Sequence, residues 1–166
     1  MTNHPILSRR KWMLHSGGQH IVVVKGMRER FSHPLMKAFL WALYLPQYPN
    51  MSIEIRIGDR YKPDVIAFPP ENELREGTPV FWGEAGQVGG QKIHKLVRRY
   101  RDTHFAIAKW NTPLEPHRRW VSDALKGVSR TAPFDLIRFH EGSAEQFIDD
   151  DGQVQLTHDD IEWIRL

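Results

Sequence analysis

Two carboxylates in this chain are spaced so that they could grip one divalent cation. Asp64 follows Pro63 near the head of the segment KPDVIAF, and Glu84 follows the apolar run in VFWGEAG. If the two runs pair antiparallel with Phe68 facing Val80, Asp64 lies four residues before that point and Glu84 four after it, so the acids meet across the pair. Strand side chains alternate with period two, which puts both on one face with Cβ atoms roughly 4.5–5.5 Å apart when directly opposite. Like charges so placed repel unless they share a proton, are compensated by bases, or hold a cation between them. Mg2+ (or Mn2+) takes oxygen ligands and keeps several waters, leaving room for a phosphodiester oxygen and an attacking water. In such a site Asp64 and Glu84 are the metal ligands, Lys95 or Lys92 assists the water or the phosphate, and Gln87 orients a ligand. Helical side chains lean toward the helix N-terminus, which aims both lysines back at the strand end that carries Glu84. Each element also has a plainer reading. Pro-Asp is common turn chemistry, and Lys92, Lys95 and Arg99 suit the solvated face of a helix.

The elements that must position these residues follow from hydropathy patterning. HIVVVKG (20–26) reads as a strand. Ser32, His33 and Pro34 suit a first helical turn, Leu35, Phe39, Leu40 and Leu43 recur at helical spacing, and Pro46 ends the run. Ile53, Ile55 and Ile57 alternate with Glu54 and Arg56, predicting a hairpin that turns at Gly58–Asp59 and returns through Phe68. A polar loop over 69–78 leads to a third strand over 79–84. A second helix begins near Gly90, with Ile93, Leu96, Val97 and Tyr100 as its buried stripe. HFAIAKW reads as a strand, 115–128 as a helix around Trp120 and Leu125, and FDLIRF and QVQLTH as late strands. The order predicts a helix-flanked mixed sheet of α/β (α+β) type. The length suits one domain over 1–166, with 1–18 expected as a flexible N-terminal segment.

The motifs KPDVIAF and VFWGEAGQ resemble the PD-(D/E)XK nuclease superfamily, whose core is helix, three strands, helix, strand. The resemblance implies a restriction-endonuclease-like core: a central mixed four-stranded sheet flanked by helices, here with extra terminal strands. It puts Pro63 and Asp64 at the PD position and Glu84 at the acid of the second motif, with Mg2+ or Mn2+ as cofactor and DNA or RNA as substrate. The superfamily's lysine normally lies two residues after that acid, where this chain has Gly86. GEAGQVGGQKIHKL is similar to the YaeQ-like branch of bacterial proteins, in which acid, one residue and glycine precede a helix carrying the basic residues. That similarity places Lys95 at a branch lysine. It extends weakly from about His20 through DGQVQLTHDD and is specific around the two motifs. A gapless comparison also puts Glu29 at an acidic position of the first-helix region, a third candidate metal ligand.

Composition narrows the remaining classes. The absence of cysteine removes disulfides, thiolate zinc sites and cysteine nucleophiles, and a cytoplasmic location is expected. The N-terminus lacks the apolar stretch of a signal peptide, and the longest apolar run, near Ile21–Val24, is too short for a membrane span. The net charge is +3, but the first 140 residues hold 22 bases and 12 acids, a surplus of the sign that attracts a polyanion. Lys92, Arg98, Arg99 and Arg101 are the bases expected to meet it. The segment after Arg138 is acidic and would either fold over that basic face, aid solubility, or enter the sheet. The glycines at 83, 86, 89 and 90 match neither a P-loop nor a dinucleotide fingerprint, no HExxH occurs among nine histidines, and no GxSxG elbow is present. The tryptophans read as core, with Trp82 expected on the face of the two acids. Two readings stand: a metal-dependent nuclease with a relocated lysine, and a degenerate nuclease fold that binds nucleic acid or protein without turnover.

Overall fold

The structure is a computed structural model that describes residues 4–72 and 74–166. Its centre is a six-stranded mixed sheet in the order β3 (Ser52–Ile53), β4 (Val65–Ala67), β5 (Phe81–Ala85), β6 (His104–Trp110), β7 (Phe134–Phe139) and β8 (Glu162–Arg165). β5, β6 and β7 are parallel, and the outer pairings are antiparallel. The sheet is wider than the expected four strands because β3 and β8 extend both edges. Among the described residues four α-helices accompany it: α1 (Ser32–Tyr44), α2 (Gly90–Arg99), α3 (Glu115–Leu125) and α4 (Ser143–Phe147). Among the described residues no helix is long and apolar enough to cross a membrane.

The two faces of the sheet are covered differently. α2 and α3 connect the parallel strands and bury Ile66, Trp82, Phe105, Ile107, Phe134 and Leu136 beneath them. The opposite face carries small residues, Ala67, Gly83, Ala85, Ala106 and Ala108, over which α1 lies close. At Gly83 a Cβ would stand 3.3 Å from Val65 and 3.4 Å from Leu40, so a side chain there would push α1 away from the sheet. α1 is buried from Pro34 to Tyr44, the condition of a helix that is covered on all sides. Its outer side is covered by a two-stranded ribbon of β1 (Lys11–Ser16) and β2 (Gln19–Val24), which sends Trp12, Leu14 and Val23 into the same core.

That ribbon corrects the expected flexible segment over 1–18. Leu7, Trp12 and Leu14 are buried, and β1 pairs with β2 over its whole length; residues 1–3 lie outside the described residues. The hairpin over 52–68 is also narrower than its alternation suggests. Only Ser52 and Ile53 pair with β4, because Glu54 turns at a positive φ of 53°. Ile55 and Ile57 leave the ladder and pack against the α2 side of the core. Near the C-terminus QVQLTH makes only isolated bridges, and the strand forms later, over 162–165. The acidic segment is therefore built into the sheet edge.

Candidate functional site

The β4–β5 register sets the geometry. Val65 pairs with Gly83, Ile66 with Trp82 and Ala67 with Phe81, which carries Asp64 to the position across from Glu84. The Asp64 N–H donates to the Gly83 carbonyl at 3.2 Å. Glu84 keeps only 7% of its exposure. The Trp82 indole N–H donates to its Oε1 at 2.9 Å, and the Lys92 ammonium lies 2.6 Å from the same oxygen. Both donors converge on Oε1. Burial, and then the neighbouring Asp64 charge, push the Glu84 carboxyl up to about 7, against the pull of Lys92 and Trp82.

Asp64 is held by different partners. Its Oδ2 accepts the Ala85 N–H at 2.8 Å, His33 Nε2 stands 3.8 Å away, and Lys37 Nζ lies 3.9 Å from Oδ1. Burial works to raise its pKa, but the His33 interaction, the Ala85 N–H and the Lys37 charge outweigh it, so the carboxyl sits below its usual range. The flanking cluster belongs to the start of α1. Glu29 accepts from the Gly26 N–H at 2.8 Å and meets His33 Nδ1 at 2.6 Å. Lys37, one turn further, is 3.8 Å from Glu29 and is paired with Glu54. His33 and Lys37 are one turn apart on α1 and share a face, and Glu29 reaches both from the loop before the helix.

Asp64 and Glu84 are thus brought together as the spacing implies. Glu29 lies on the Asp64 side, its carboxylate already engaged. Lys92 reaches Glu84, and its ammonium also lies 5.5 Å from the Tyr61 ring centroid. Lys95 is exposed on the wall of a groove between α2 and α3, with Trp120 and Asp123 opposite, while Gln87 is exposed on a separate cleft beside Lys109. Arg98 donates to the carbonyls of His94 and Ala124, tying α2 to α3. Arg99 pairs with Asp59, and Arg101 is exposed. Trp82 is a fully buried core residue that serves Glu84 and is closed to base stacking. Sequence reasoning passed over His33, Lys37 and Glu54. The available signal was Lys37, the one charge inside the apolar run PLMKAFLWAL.

Among the described residues no three His, Cys, Asp or Glu side chains gather into a metal-binding group. The donor set that exists, two adjoining carboxylates with one under-compensated, fits a hard cation that keeps most of its water, as Mg2+ does.

A second buried carboxylate lies near the other end of the parallel strands. Asp135 on β7 accepts from Tyr44 at 2.6 Å and from Arg165 Nε and Nη2 at 2.8 and 3.0 Å, and His104 Nε2 stands at 2.6 Å. Burial opposes its ionisation, but His104, Arg165 and Tyr44 overcome it and hold the carboxyl at about 2.

Comparison with known proteins agrees with the fold. No family model and no curated protein matches the chain. Among solved structures, the YaeQ protein from Pseudomonas syringae superposes with a TM-score of 0.54 at 12% identity, covering 77% of this chain and 70% of that one. The YaeQ protein from Xanthomonas axonopodis pv. citri superposes with a TM-score of 0.51 at 13% identity, covering 77% and 72%. The chain has a YaeQ-like fold.

Proposed function

We propose that this chain is a divalent-cation-dependent nuclease of the PD-(D/E)XK type, hydrolysing phosphodiester bonds of DNA or RNA at Asp64 and Glu84. The observation that carries the reading is the Glu84 carboxyl, buried beside a second acid and raised to about 7. A buried acid so destabilised gains from a cation that neutralises it, and perturbed groups of this kind concentrate at functional sites. A bound Mg2+ or Mn2+ would polarise the phosphodiester and ease ionisation of the attacking water. The Ala85 N–H fixes the Asp64 carboxylate, Lys37 and His33 keep it ionised, and Trp82 orients Glu84 from the core. Lys92, already at Glu84, takes the lysine's part of steadying negative charge on the phosphate, from the helix rather than from the Gly86 position. The YaeQ-like fold and the basic surplus before residue 140 support this assignment, and the absence of cysteine supports a reducing compartment.

The test is cleavage of DNA and RNA by purified protein with Mg2+ or Mn2+. Asp64→Ala and Glu84→Ala are each expected to lower the rate by about 100-fold or more while the fold is retained. Equal cleavage by both variants would remove the assignment. Gly86 at the usual lysine position favours a second reading, a binding module without turnover. Salt-sensitive nucleic-acid binding with no cleavage under either metal would select it.

A further inference from the structure

Lys109 is a buried cation that the proposed hydrolysis does not use. It follows Phe105 and Ile107 on the α2–α3 face of β6 and emerges at the carboxyl end of the strand with 7% of its exposure remaining. Its Nζ donates to one neutral acceptor, the Gly86 carbonyl, at 2.7 Å. Burial alone shifts its pKa, downward, with no carboxylate to offset it. An ammonium taken out of water without a counter-charge is strongly unfavourable unless something else supplies that charge.

Lys109 lines a cleft of about 730 Å³ together with Gln87, Gly89, Pro116, His117 and Trp120, and among the described residues no acidic side chain is on its wall. His117 is held below its usual pKa, first by burial and then by the Lys109 charge, so two basic groups oppose each other there. The residue before α2, Gly89, is on the same wall, whereas Gly90 and Gln91 of the first turn line the groove between α2 and α3. As N-cap, Gly89 offers no side-chain acceptor to the helix start. Trp120 packs over Gly90, where a Cβ would stand 3.2 Å from its ring, and it remains 37% exposed. A buried cation, a second base and an exposed indole converge on one cleft.

We propose that this cleft is a phosphate-binding subsite, with Lys109 and His117 as donors to the phosphate oxygens and Trp120 as the wall against which an attached base stacks. Gly86, which accepts from Lys109, is two residues beyond Glu84, so the cleft adjoins the strand end that carries the proposed metal site. The subsite rests on the nuclease reading only for its source of phosphate, a nucleic-acid strand.

The test is calorimetric titration of the full chain in metal-free buffer containing EDTA, first with inorganic phosphate and then with a short single-stranded oligodeoxynucleotide. Lys109→Gln is expected to weaken phosphate binding about tenfold and Lys109→Arg to restore most of it. His117→Ala, at a half-buried position, is expected to weaken it about threefold and keeps the test open if Lys109→Gln does not fold. Parallel loss of oligonucleotide affinity assigns the phosphate to a nucleic-acid strand, and loss confined to inorganic phosphate assigns it to a free phosphate compound. Equal phosphate affinity in wild type and in the Lys109 and His117 variants, or no phosphate binding by wild type, overturns the subsite. No cleavage is measured, so a failure of hydrolysis at Asp64 and Glu84 leaves this result intact.

Discussion

Asp135 and Glu84 are both buried in one sheet, yet their environments drive them in opposite directions. Asp135 has no exposure, and Tyr44, His104 and Arg165 together engage both its oxygens, so its carboxyl is held at about 2. Glu84 keeps 7% exposure, receives Trp82 and Lys92 on one oxygen and faces Asp64, and its carboxyl rises to about 7. Depth alone therefore does not set the protonation of a buried acid. The balance of donors and like charges does. The saturated carboxylate locks β7, β8 and α1 together, whereas the unsaturated one is the acid that an added cation would relieve.

The largest expected effect on stability tests the first half of that contrast. Asp135→Ala leaves Arg165 and the His104–Tyr48 pair facing an empty place and is expected to cost about 3–5 kcal/mol in urea unfolding. A loss below about 1 kcal/mol would show that the network is not structural.

The pH dependence separates the two acids more finely. The Glu84 pKa is raised in the folded state, so its contribution is fully present below the unfolded value near 4.5 and is lost as pH rises through about 7. The change is on the order of 3 kcal/mol. Glu84→Gln should abolish that loss and leave the variant at least as stable as wild type at pH 8, as expected where a functional charge is held at the expense of stability. The Asp135 pKa is lowered, so its contribution is present above about 3.8 and is lost as pH falls toward about 2, a change of about 2 kcal/mol. Stability–pH curves of wild type, Glu84→Gln and Asp135→Asn check both signs.

Removing Lys92 takes away an ammonium that lowers the Glu84 pKa. Lys92→Met should move the Glu84 titration midpoint further up, by about one unit, in carboxyl-carbon NMR. The smallest effect is expected at Glu162, an exposed partner of Arg138, where substitution by Ala should change stability by less than about 1 kcal/mol.

How much of this was legible in the sequence depends on the range of the interaction. The β4–β5 register could be read because two continuous apolar runs lie close in sequence across one polar loop, and it placed Asp64 across from Glu84 as the structure does. Helices α1 and α2 carried their own spacing and stops. β2 was expected as the strand over 20–26, but its partner β1 was missed because Trp12 and Leu14 acquire their burial from the distant core around α1. The Glu29–His33–Lys37–Glu54 cluster depends on a left-handed turn at Glu54, which nothing local announces. Lys92 and Lys95 look equivalent on a helical wheel. Only the packing of α3 against α2 shows that Lys95 lines the groove there while Lys92 meets Glu84.

Joint cation binding by Asp64 and Glu84 is measured most directly by titrating the protein with Mn2+ or Mg2+ in a calorimeter at pH 8, where Glu84 is largely ionised. One bound ion in wild type, weakened about tenfold or more in both Asp64→Asn and Glu84→Gln, is the predicted result. Equal affinity in wild type and either variant, or no binding by wild type, would contradict it.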